Sequence, residues 1–137
     1  MIGHTLRAFE ILGFLAAFVL TAHAARGADE GLKVVPWPRS VAMQGGALNL
    51  TAATRVTTAS DALMPLAKVR AEEIQAATGL KVVPAAGDAK PGDIELKLDP
   101  SLKGESYVLT VGDRALVRGG HYAALAGGTV TLLQAIQ

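Results

Sequence analysis

Chemistry in this chain of 137 residues would have to start from a small stock of reactive side chains. Beyond residue 24 one histidine remains, His121, and cysteine is absent altogether. An imidazole with no thiolate, second imidazole or carboxylate at ligand spacing does not make a metal site, so His121 is read as a polar residue at the mouth of the last helix. Ser40, Ser60, Ser101 and Ser106 are available hydroxyls, but none stands in a Gly-x-Ser-x-Gly elbow, and Ser60 is read as a helix cap. General acid and base work would need paired carboxylates, for which Glu72, Glu73, Asp93, Glu95, Asp99 and Glu105 are the candidates. Glu72 and Glu73 fall on the polar side of an amphipathic helix, and Asp93 and Glu95 alternate outward from a strand, so solvated faces account for them. The stretch GGHYAALAGG lacks the Gly-x-Gly-x-x-Gly spacing of a dinucleotide loop and is followed by no ribose-binding acid. No catalytic, cofactor-binding or metal-binding residue is assigned, and no cofactor is expected.

The elements that carry these residues can be read from periodicity and turn chemistry. Leu32–Val35 is a short strand closed by Pro36 and Pro38, and Trp37 between them is the one aromatic expected to meet a neighbouring domain or, failing that, a sugar ring. Ala47–Leu50 and Thr54–Thr58 are two further strands. A helix follows from Ser60 or Asp61, or from as late as Met64 because of Pro65, with Leu63, Leu66, Ala67, Ala71, Ile74 and Ala77 on its buried face and Gly79 as a left-handed cap. Arg70 lies near that apolar face and is expected to pair with Glu73. Leu80–Val83 reads as a strand, AAGDAKPG as a surface loop, and Asp93–Leu98 as a half-buried strand that turns Ile94, Leu96 and Leu98 inward. Tyr107–Val111 and Ala115–Arg118 flank Gly112-Asp113, a two-residue connector suited to a primed hairpin turn, with Tyr107 in the core. From Tyr122 to Ile136 the pattern is helical, with Leu125, Val130, Leu132, Leu133 and Ile136 as buried positions. The Gly127-Gly128 pair inside that helix costs roughly 1 kcal/mol per residue, which points to a close backbone approach. The order of elements suits an α+β fold, a mixed β-sheet with helices packed on one face.

Composition narrows the class of protein. Thirteen basic residues face twelve acidic ones, the net charge is +1 and no basic block appears, so the electrostatic footprint of a nucleic-acid binder is missing. Residues 1–24 have the form of a signal peptide: Arg7 in a short polar region, an apolar run from Ile11 to Leu20, and the small-x-small triplet Ala22-His23-Ala24 before the expected cleavage. That run falls short of the ~20 residues that span a bilayer. A periplasmic or secreted product, without membrane attachment after cleavage, is therefore expected. Without cysteine it carries no disulfide, and it must be held together by packing. Residues 25–31 form a flexible lead-in, and 32–137 a single domain.

Several phrases carry a likeness. VVPWPRSVAMQGGALNLTAATRV, the helix end ATGL, the hairpin strand GESYVLTV and the closing GTVTLLQAI together resemble the N-terminal domain of bacterial β-N-acetylhexosaminidases, glycoside hydrolase family 20. Gly128, Thr131, Leu132, Leu133 and Gln134 match the family's Gly-x-x-Thr-Leu-x-Gln helix, and Glu105-Ser106-Tyr107 with Leu109 matches its hairpin strand. Ala47 replaces the usual aromatic before Leu48, and Gly119–Ala126 departs from the family's approach to the helix. The resemblance implies a non-catalytic accessory domain that precedes a catalytic (β/α)8 barrel whose Asp-Glu pair has no counterpart here. It makes that barrel the expected partner, with amino-sugar glycans as the distant ligands. It also implies that Gly127-Gly128 and the apolar helix end face the barrel. A free-standing carbohydrate-binding module, or the helper domain of another glycosidase such as an α-glucuronidase, are the alternatives.

Overall fold

A computed structural model of the chain describes residues 4–14 and 39–136. Among these residues seven strands form one mixed sheet: β1 (Thr5–Phe14), β2 (Ser40–Asn49), β3 (Arg55–Thr58), β4 (Val83–Ala86), β5 (Ile94–Leu98), β6 (Ser106–Val111) and β7 (Ala115–Gly119). Their spatial order is β2-β1-β6-β7-β5-β3-β4. The first three and the β6–β7 pair are antiparallel, whereas β7, β5, β3 and β4 run parallel. Two helices, α1 (Met64–Thr78) and α2 (Tyr122–Ala135), pack on the same face of this sheet and touch each other. This is the α+β arrangement expected from the order of elements.

Alternation along the strands decides what faces the helices. Val56, Ile94, Leu96, Leu109, Val111 and Val117 are fully buried there, beneath Leu66, Ile74, Leu125 and Leu132 from the two helices. Helix α1 begins after a 3₁₀ turn at Asp61–Leu63, with Pro65 in its first turn, where a missing N–H breaks no helical bond. Gly79 ends it at φ +75°, in the left-handed region open to glycine, with its N–H donating to Gln75 O at 2.8 Å. Arg70 pairs with Glu73 as expected.

The structure differs from the sequence reading at several positions. Thr5–Phe14, inside the span read as a leader, forms an interior strand in which Leu6, Phe9 and Ile11 are fully buried; its apolar residues suit a buried strand as well as they suit a signal peptide. β2 starts seven residues before Ala47 because β1 supplies it with a partner over nearly its whole length. Leu32–Val35 and Trp37 lie outside the described residues. Ser60 makes no capping hydrogen bond with its side chain, and Ala77 faces outward at the end of α1. The strand expected at 80–83 lies instead at Val83–Ala86, where edge pairing with β3 tolerates Pro84. Leu98 is exposed because β5 outruns β3, whose last paired residue is Thr57 opposite Glu95. The β6–β7 hairpin closes through three residues, Gly112–Arg114, with Val111 opposite Ala115; Gly112 is not among the positive-φ glycines, so no primed two-residue turn forms.

Candidate functional site

Four of the six carboxylates that might have worked in pairs, Glu73, Asp93, Glu95 and Asp99, are tied to arginines. Asp93, expected to point outward, is only 3 % exposed. It lies just ahead of β5 in a turn closed by its own N–H on Lys90 O at 3.0 Å. Its carboxylate accepts from the Lys90 N–H at 2.8 Å and from the Arg55 backbone N–H and Nε, both at 3.2 Å, with the Arg55 Nη2 closing an ion pair. Burial pushes the Asp93 carboxyl upward, but the Arg55 guanidinium and the two backbone donors outweigh it and hold the group below the usual carboxylate range. Glu95 meets Arg114 at 3.5 Å, and Asp99 meets Arg118 at 3.0 Å. The Ser101 hydroxyl and N–H, helped by Arg118, hold Asp99 below its ordinary value. Glu73 pairs with Arg70, and Glu72 is exposed on α1.

His121 caps α2: its Nδ1 accepts from the Ala124 N–H at 3.4 Å, and its Nε2 stands 3.8 Å from Glu105. The capping role expected for Ser60 in one helix is thus filled by this imidazole in the other. Among the described residues no group of three or more His, Cys, Asp or Glu could hold a metal ion.

A cleft of about 290 Å³ opens at the carboxyl ends of β3 and β5, lined by Thr58, Ser60, Asp88, Lys97 and Leu98 among others. It lies where the connection from β3 turns through α1 toward β4 while that from β5 turns the other way toward β6, the position at which open parallel sheets place their ligands. Its lining offers hydroxyls, one amine and the carboxylates of Asp88 and Glu95, the latter engaged with Arg114. No imidazole or aromatic ring lines it.

The last helix carries a different kind of surface. No charged residue occurs between Tyr122 and Ala135. Its inner side is sealed onto the sheet: a Cβ on Gly128 would stand 2.7 Å from Val117 Cγ1 and 3.0 Å from Tyr107 Cδ2. The close approach expected of the glycine pair is therefore made at Gly128 by this domain's own sheet, which corrects the expectation that both glycines face a barrel. Tyr122 and Val130 lie on the outer side, 46 % and 42 % exposed. Val130, expected inside, is displaced outward because buried Gly128, Thr129, Thr131 and Leu132 take the sheet-facing turn. Leu133 and Ile136 pack partly buried against the core.

Tyr107 brings the two most telling phrases of the sequence together. Its ring lies against Gly128, and its hydroxyl shares a 2.6 Å hydrogen bond with Thr131 Oγ1. The hairpin strand and the closing helix are one packing unit, and residues 31–137 match the family described as glycosyl hydrolase family 20, domain 2. The chain belongs to that family. No curated protein matches it. As a family 20 domain 2, it places three of the five matching helix residues in its interior: Gly128, Thr131 and Leu132 are buried, Leu133 is partly buried and Gln134 is exposed. Their agreement with the family phrase reports packing. Sequence reasoning missed the Asp93–Arg55 pair, for which the only available signal was the turn sequence Lys90-Pro91-Gly92 immediately before the aspartate.

Proposed function

We propose that this chain is the accessory domain of an exported hexosaminidase-like glycoside hydrolase, and that the outer side of α2 is the face it offers to the catalytic barrel. Membership of glycosyl hydrolase family 20, domain 2 supports the accessory role. The observation that carries the docking face is the charge-free exterior of α2. The exposed side of α1 sets Val69 among Lys68, Glu72 and Glu73, whereas that of α2 bears Tyr122, Ala123 and Val130, with Ala126 and Gly127 partly exposed between them and the uncharged Gln134 beyond. Small residues flanked by an aromatic and a valine allow a second apolar surface to come close, and interfaces are poor in charge at their centres. Hydrolysis is then the work of barrel residues, consistent with the pairing of Glu73, Asp93, Glu95 and Asp99 with arginines. The signal-like first 24 residues support export to the periplasm or medium.

Mixing the purified chain with the isolated catalytic barrel of a family 20 glycosyl hydrolase tests the reading. Sedimentation should show a one-to-one complex, and Val130→Asp should abolish it while the variant keeps its native circular dichroism. Glycosidase turnover by the chain alone, removed by a substitution within it, would overturn the reading.

A further inference from the structure

We propose that β1 is a place-holding strand, and that β2 moves into its position beside β6 when the residues ahead of the family segment are removed; the proposal rests on the export reading above. The family match starts at residue 31, so all ten residues of β1 lie outside it. Yet β1 stands between two strands of the matched segment, and among the described residues it is the one strand that pairs with β2. Without β1, the described strands would leave one edge of β6 bare and β2 with no partner among them. Bare strand edges next to a hydrophobic core are costly and promote association.

The geometry makes the replacement simple. Because β1 is antiparallel to both neighbours, β2 and β6 point the same way. A sideways shift of one strand spacing, about 4.8 Å, joins them without reversing the chain. The registers also agree: Ile11 lies opposite both Val41 and Leu109, and Glu10 opposite both Ala42 and Thr110. After the shift Val41 stands beside Leu109 on the core side, where Ile11 had been, and Ala42 beside Thr110 on the other. Val41 already packs partly buried against the core, so its burial deepens and its facing is kept.

The test uses the full chain expressed with its leader in a Gram-negative host, with mass spectrometry reading the N-terminus of the product. A chain that has no cysteine of its own can carry the pair Ala42→Cys with Thr110→Cys. Across an intervening strand these positions are about 10 Å apart, beyond the ~7 Å reach of a disulfide. The unprocessed chain from the cytoplasm should stay uncrosslinked, and the processed chain should form the bond on mild oxidation. In cysteine-free protein, amides of residues 40–49 and 106–111 should exchange slowly in both forms. A product still beginning at Met1 would overturn the export reading and the proposal with it. A processed product that shows no crosslink, or in which residues 40–49 exchange at least 100-fold faster than in the unprocessed chain, would overturn the strand replacement alone.

Discussion

Tyr107 Oη and Thr131 Oγ1 lie 2.6 Å apart in the buried seam between β6 and α2. Both residues are only about 4 % exposed; Thr131 Oγ1 can also donate to Gly127 O at 3.5 Å, so the Tyr107 hydroxyl is the one that depends on the pair for satisfaction. Tyr107→Phe should cost about 1 kcal/mol, and Thr131→Val about as much. Removing both should cost less than the sum, because the second substitution relieves the orphan left by the first. Chemical denaturation of the four proteins in a double-mutant cycle measures this, and strictly additive losses would show that the hydrogen bond contributes nothing.

A methyl group tests the same seam sterically. Gly128→Ala gains up to about 1 kcal/mol of helix propensity but places its Cβ against Val117 and the Tyr107 ring. Overpacking of this sort costs roughly 1–3 kcal/mol, so the variant should be net destabilised, with a melting temperature lower by several degrees. At Gly120 the added Cβ would stand 2.2 Å from Leu102 O, a backbone atom that cannot swing away. Gly120→Ala should therefore be the more damaging of the two.

What the sequence made legible was whatever depends on neighbours in the chain. The period of α1 up to Ile74 and its glycine cap follow from local sterics and one-sided burial and appear where expected, as do the inward Tyr107, Leu109 and Val111, whereas burial of Ser106 and Val108 on the other side of β6 was not legible. The errors arose where a distant segment decided the outcome. Leu98 alternates correctly but is exposed because β3 stops short of it. Asp93 reads as the outward partner of Ile94, yet Arg55, 38 residues away in sequence, draws it in. β2 is as long as it is because β1 lies beside it. In the same way, the His121 cap was foreseeable as a polar residue at a helix mouth, whereas the contacts of Gly128 required knowing which strand lay beneath it.

The outer side of α2 should be dispensable to the isolated fold. Val130→Lys removes an apolar side chain that is 42 % exposed and should change stability by no more than about 0.5 kcal/mol. A dye that brightens on exposed apolar surface should bind the unaltered chain and bind the variant more weakly. Equal dye signals from two equally stable proteins would place the apolar surface elsewhere.

Acid should find the Asp93 linkage. Its carboxyl is held below the ordinary value of about 3.9 in the folded chain, so its contribution is fully present above that value and is lost as pH falls through the lower, folded one. Stability should be flat from neutral pH to about 4 and decline below it, with Asp99 adding to the fall because its own carboxyl is shifted in the same direction. Asp93→Asn keeps the shape but discards the charge, and an amide oxygen cannot replace both carboxylate oxygens that accept from Lys90 and Arg55. At pH 7 the loss should be about 1–3 kcal/mol, and the gap between the two proteins should narrow as pH drops below 4. Urea midpoints recorded from pH 7 to pH 2.5 decide the matter, since a gap that stays constant would mean that shape alone, and not ionisation, accounts for what Asp93 contributes.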